Sequence, residues 1–147
     1  MERVSDLLTR KYPQFNTTTS NCLISDALYQ MCCENVDFLI VMENNKFKGI
    51  ITEHDIVSRI LFEDRALNKI EVNEFVNTSV PVTTPEATLQ SCMQMVERFN
   101  VKHIAVYDRF DFKGVISSHD LMQEALHSPQ LFFVEEQEPR KGYPWNY

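Results

Sequence analysis

With 147 residues, the chain is long enough for one well-buried domain and short for two independent ones. Its 44% hydrophobic and 24% charged residues are ordinary globular composition, which argues against wholesale disorder. The net charge of −7 argues against a nucleic-acid or anionic-membrane surface, so any anionic ligand needs a local basic spot.

In chain order, Val4, Ser5, Asp6, Leu7 and Leu8 predict a short amphipathic helix whose length Pro13 limits. The opening residues lack the basic-then-apolar order of a signal peptide, and no apolar run approaches the ~20 residues of a membrane span. The expected location is therefore the cytoplasm. A polar run from Thr17 to Asn21 leads into a helix on which Ile24, Ala27, Leu28 and Met31 keep the i, i+3, i+4, i+7 interval of a buried face. Ser20 or Asn21 is placed to cap this helix.

Phe38 to Met42 is a continuous apolar run, which suits a strand buried on both faces. A hairpin turn over Glu43, Asn44, Asn45 and Lys46 leads to a second strand, Phe47 to Ile51, then to a helix carrying Ile56, Val57, Ile60 and Leu61.

The chain then repeats itself. Lys48-Gly49-Ile50-Ile51-Thr52-Glu53-His54-Asp55 returns as Lys113-Gly114-Val115-Ile116-Ser117-Ser118-His119-Asp120, 65 residues on. Each copy opens with a glycine suited to a tight turn and closes with hydroxyl-x-x-carboxylate ahead of a helical pattern. At the same offset Thr18-Thr19 falls on Thr83-Thr84, Asn35-Val36 on Asn100-Val101, and Val41 on Val106. The second copy has its own helix over Leu89, Cys92, Met93 and Val96, with Thr88 as N-cap where the first has Leu23. The opening helix is echoed by Val72 to Val76 at an offset of 68, because Arg10-Lys11-Tyr12 has no equal on the second side. Each unit reads strand, helix, strand, strand, helix. Neither buries both faces of its own sheet, so the two are expected to complete one core.

Two tandem β-α-β-β-α units ending in Gly-h-h-[Thr/Ser]-x-x-Asp resemble a pair of CBS domains, the cystathionine β-synthase type that forms a Bateman module. The resemblance runs from about Val4 to Leu126. It implies an α+β fold with pseudo-two-fold symmetry, the repeats packed through their sheets, helices outside, and two clefts. The expected division is residues 1–67 as repeat 1 with the N-terminal helix, 68–127 as repeat 2, and 128–147 as a C-terminal tail. The family commonly takes AMP, ADP, ATP or S-adenosylmethionine in such clefts. The implied function is thus a regulatory sensor of an adenosine-type ligand, with no cofactor required. The alternative is a ligand-free dimerisation or scaffold domain that recruits a partner.

The resemblance places Thr52 with Asp55, and Ser117 with Asp120, at the ribose positions. An ionised carboxylate has acceptors for both hydroxyls of a diol, and Thr or Ser adds an adaptable partner. Taken alone, the same spacing favours a capping box at a helix start; inside this repeat the ribose reading is preferred. Lys102 and His103, after Val101, fall where the family brings basic residues to ligand phosphates, although Ala105 replaces the usual proline. The first repeat has Asp37 and Phe38 in those places, so the clefts are expected to be unequal, with Asp120 the stronger ribose acceptor unless Lys102 reaches across to the ligand of Asp55. Thr19 and Thr84 complete the candidate binding set.

His54 and His119 stand beside Asp55 and Asp120, but neighbours on a helix point roughly 100° apart. Neither is placed to bond its own Asp, and no enzyme activity is expected. The four cysteines form no C-x-x-C, so no metal or disulfide is expected, and Cys32 and Cys92 fall on apolar helical stripes. The resemblance also implies a homodimer through helices starting near Ser25, Asp55, Gln90 and Asp120. The tail, with Leu131 to Val134 and Tyr143 to Tyr147, is a strand-like patch or a protein-partner site.

Overall fold

The computed structural model describes residues 2–11 and 16–127. The tail expectations lie outside the described residues. An opening helix, α1 (Val4–Lys11), precedes two units of identical order. The first is β1 (Thr17–Thr19), α2 (Ile24–Glu34), β2 (Phe38–Glu43), β3 (Lys46–Thr52) and α3 (Glu53–Ile60). Two 3-10 turns, Leu67–Lys69 and Val72–Glu74, link it to β4 (Val82–Thr83), α4 (Leu89–Phe99), β5 (His103–Asp108), β6 (Asp111–Ser117) and α5 (Ser118–His127).

Each unit has a three-stranded sheet with the β-α-β strand parallel to the middle one and the hairpin partner antiparallel. Alternation along β2 explains why its apolar run is continuous. Leu39 and Val41 pack under α2 and α3 with Ile24, Ala27, Met31 and Ile56. Phe38 and Ile40 face the other way, where with Ile50 of β3 they meet Val115 of the opposite sheet. In the second unit Ile104 and Val106 pack under the helices with Leu89, Cys92 and Leu121. The sheets therefore share a core, closed at one end by Phe47 stacked on Phe112 at 4.4 Å.

The chain crosses over at both helical starts. Helix α1 buries Val4 and Leu7 in the second repeat's core, while Ile70, Val72 and Phe75 enter the first repeat's core. Backbone bonds secure the crossing symmetrically: Val4 N–H donates to the Ala87 carbonyl at 2.9 Å and Val72 N–H to the Cys22 carbonyl at 2.7 Å.

This crossing also corrects the capping expectation at α2. Its N-cap is Leu23, without a side-chain bond, so neither Ser20 nor Asn21 caps it. The Ile24 N–H instead donates to the Ile70 carbonyl at 2.9 Å, supplied by the linker. Helix α4 has the expected cap, Thr88 accepting from Ser91 N–H at 3.1 Å. Both helices end at an asparagine in the left-handed conformation, Asn35 (φ 55°) and Asn100 (φ 50°), which explains why this residue recurs.

The motif glycines also depart from expectation: Gly49 and Gly114 lie inside β3 and β6, not at a turn. The turns belong to Asn44 and Asn45 (φ 51° and 60°) and to Arg109 (φ 57°). Each glycine sits at a register shift, Val41/Met42 or Val106/Tyr107, that bends its hairpin. Cys92 is buried as expected, but Cys32 is exposed on α2.

Candidate ligand-binding clefts

The hydroxyl-x-x-carboxylate motifs sit where a strand ends and a helix begins, so backbone amides have to be satisfied first. At α3, Thr52 Oγ1 accepts from Asp55 N–H at 3.0 Å. At α5, Ser117 Oγ accepts from Asp120 N–H at 3.1 Å, and Asp120 Oδ2 accepts in return from Ser117 N–H at 2.8 Å. The second motif is thus a complete capping box and the first only its hydroxyl half. Among the described residues, nothing bonds or pairs with the Asp55 carboxylate.

Two clefts open at these helix starts. One, of about 630 Å³, is bordered by Thr52, Asp55, Asn77, Val101, Lys102 and His103. The other, of about 910 Å³, is bordered by Lys11, Asn16, Phe38, Ser117 and Asp120. Asp37 and Glu53 border both. Lys102 therefore faces Asp55, across the repeats, and not the Asp120 of its own repeat. Its backbone explains the crossing: the Lys102 carbonyl is held by Ser118 N–H at 2.8 Å, so the chain there is anchored to repeat 2 while the residue borders the opposite cleft. The Asp37 carbonyl is held by Glu53 N–H in the same way, at 2.9 Å.

His103 corrects the expected two-residue basic spot. It is buried, with its ring 4.4 Å from that of Phe38, its match in the first repeat. Burial pushes its pKa below the ordinary value, against an opposing pull from the carboxylates of Asp37, Asp120 and Asp55. Its ring is neutral at neutral pH, which leaves Lys102 as the charge in that segment.

Thr19 and Thr84 border neither of these clefts. The Thr19 hydroxyl donates to Asn21 Oδ1 at 2.7 Å, and the Thr84 carbonyl closes a turn with Ala87 N–H at 3.2 Å. His54 and His119 lie along their helix surfaces, with Nε2 3.5 Å from Ser58 Oγ and 3.3 Å from Gln123 Nε2 respectively. Each makes its contact one turn along and not with its neighbouring Asp.

Lys11, Asn16 and Asn77 also border the clefts, although no motif marks them in the sequence. For Lys11 a signal existed: it lies in the three residues that break the repeat's register. Lys11 Nζ reaches Asp120 Oδ2 at 2.5 Å and the Val115 carbonyl at 3.1 Å. Among the described residues, each cleft has more carboxylates than ammonium groups, since Asp37 and Glu53 flank both.

Comparison with known proteins agrees with the tandem fold. The CBS domain family matches residues 4–62 and again 72–127. The chain is 26% identical over 121 residues to the CBS domain-containing protein YhcV of Bacillus subtilis, covering 82% of this chain and 84% of that protein. The crystal structure of the CBS domain NE2398 superposes with a TM-score of 0.79 at 26% identity, covering 86% of this chain and 99% of that one. The CBS domain pair of MJ0100, solved in complex with 5′-methylthioadenosine and S-adenosyl-L-methionine, has a TM-score of 0.73 at 21% identity, covering 86% and 98%. At that identity the last likeness concerns the fold alone.

Proposed function

Because the chain belongs to the CBS-domain family and carries two copies of the domain in tandem, we propose that it is a regulatory module that senses an adenosine-type ligand. The observation that carries this reading is the Asp55 carboxylate, which borders a cleft beside Thr52 and Lys102 without a partner among the described residues. A ribose diol donates two hydroxyls to such an acceptor, and Thr52 Oγ1, already accepting from Asp55 N–H, keeps a proton to donate. Val101, Ile50 and Val80 give the same cleft an apolar border suited to a base. The complex of MJ0100 with two adenosine derivatives supports this ligand class.

Charge refines the choice within AMP, ADP, ATP and S-adenosylmethionine. Among the described residues, one ammonium, Lys102, stands against Asp37, Glu53 and Asp55 in the cleft. Each added phosphate brings negative charge to an acidic surface, so AMP and S-adenosylmethionine are favoured over ATP. The module acts by shifting the packing of repeats or subunits on binding, without catalysis.

Thermal unfolding with AMP, ATP and S-adenosylmethionine tests the reading. A ligand at 100 times its dissociation constant stabilises by ~2.7 kcal/mol, which is several degrees for a domain of this size. An unchanged midpoint with all of them returns the hydroxyl-x-x-carboxylate motifs to helix caps.

A second reading, assembly of two copies, is favoured by the outer helix surfaces. Leu61, the C-cap of α3, and its register mate Leu126 on α5 are each 77% exposed, and Val57, Phe62 and Met122 are exposed beside them. One core does not need these side chains. Sedimentation is expected to give a dimer at tens of micromolar, converted to monomer by Leu61→Glu with Leu126→Glu, within the usual range of interface affinities. A wild-type monomer counts against it.

A further inference from the structure

The two clefts differ most at their carboxylates. Asp120 Oδ2 accepts from Lys11 Nζ at 2.5 Å and from Ser117 N–H at 2.8 Å, and the same ammonium reaches the Val115 carbonyl at 3.1 Å. Only 22% of the Lys11 side chain and 19% of that of Asp120 are exposed, so the pair is shielded from water. At Asp55 no hydrogen bond or ion pair engages the carboxylate among the described residues. The residue 65 positions beyond Lys11 is Val76, and at the offset of 68 that relates the two opening segments it is Ser79. Neither carries an ammonium.

The lysine is held in position by more than its own charge. Helix α1 is seated on the second repeat through Val4 and Leu7, and the neighbouring Arg10 pairs with Glu2 at 2.5 Å and with Glu124 of α5 at 2.9 Å. The last turn of α1 is thereby fastened to α5, the helix that bears Asp120.

We propose that Lys11 occupies the diol acceptor of the Asp120 cleft as an internal cation, so that the module takes one adenosine-type ligand, in the Asp55 cleft. The inference rests on the sensor reading above and specifies which cleft is open. A ribose hydroxyl is a neutral donor and a weaker partner for a carboxylate than an ammonium already in place. Displacing Lys11 also strips an ammonium of two acceptors. The combined effect is roughly ten- to a hundredfold in affinity between the clefts, the size expected for a charge-assisted hydrogen bond.

Calorimetric titration with AMP and with S-adenosylmethionine tests this on the full chain. Wild type is expected to bind one equivalent, and Asp55→Asn to lose it. Lys11→Met, which keeps the apolar stem and removes the charge, is expected to bind two, the second disappearing when Asp120→Asn is added. Lys11→Gln serves in its place if the methionine variant does not show a cooperative melt. Two wild-type equivalents of similar affinity, or binding that survives Asp55→Asn, overturn the occlusion and leave the sensor reading standing. A single equivalent after removal of the lysine charge, or weaker binding, also overturns it and makes Lys11 structural or a ligand contact. No heat in any of these proteins with either ligand overturns the sensor reading and this inference together.

Discussion

His103 has two chemical characters, and its surroundings select one of them. Buried against Phe38, it is a flat aromatic filler between the repeats; were it protonated, it would be a buried cation near three aspartates. Because its folded pKa is lowered, the unfolded chain takes up a proton that the folded chain does not as pH drops below about 6.5. Stability therefore falls with pH through the window between that value and the lowered one, and levels off below it. His103→Phe places at 103 the residue already found at 38 and removes this component. Melting temperatures measured between about pH 8 and about pH 5 should decline less for the variant than for wild type. Parallel profiles would mean that burial does not hold this histidine neutral.

Among the elements, the bulged hairpins show why a glycine recurs at 49. A Cβ there would lie 2.1 Å from the Asn77 carbonyl oxygen, and that oxygen accepts from Ile50 N–H at 3.1 Å. Asn77 N–H in turn donates to the Ile50 carbonyl at 2.8 Å, so the linker is clamped to β3 by backbone on both sides. Backbone cannot yield as a side chain tip can. Gly49→Ala is expected to destabilise by about 1–3 kcal/mol, the usual range for overpacking. Urea denaturation at unchanged m-value measures it. Asn77 also borders the Asp55 cleft, so the same substitution should weaken ligand binding there.

At the scale of the whole molecule, each repeat is completed by chain that belongs, in sequence, beside the other. The first core needs Ile70, Val72 and Phe75 from the linker, and the second needs Val4 and Leu7 from the opening helix. The sheets add a shared layer, with Phe38, Ile40 and Ile50 of the first against Val115 of the second. Both buried faces of a sheet are thus exposed when the chain is divided between repeats. A fragment of residues 1–68 keeps α1 without its seat and loses the linker's three core side chains, so it should show no cooperative melt. Differential scanning calorimetry of that fragment as a monomer decides the matter, and a sharp transition would separate the repeats as independent units.

What the sequence by itself determined is what a fixed period and local chemistry can carry. The alternating and helical apolar patterns and the hydroxyl-x-x-carboxylate motifs, each set by residues near one another in the chain and repeated at an offset of 65, were enough for the order of elements and the tandem CBS architecture. Local pattern was also enough to place Thr52 and Ser117 at helix starts. Tertiary structure decided what faces what. Lys102 borders the cleft of Asp55 because the pseudo-two-fold packing crosses the repeats, and no spacing along one strand encodes that. His103 is a basic residue in sequence and a buried aromatic in the fold, since its charge state follows from desolvation, which only packing creates. Lys11 reaches Asp120 across 109 residues of chain, and the register break at Arg10–Tyr12 marked an unmatched segment without indicating the carboxylate it would meet.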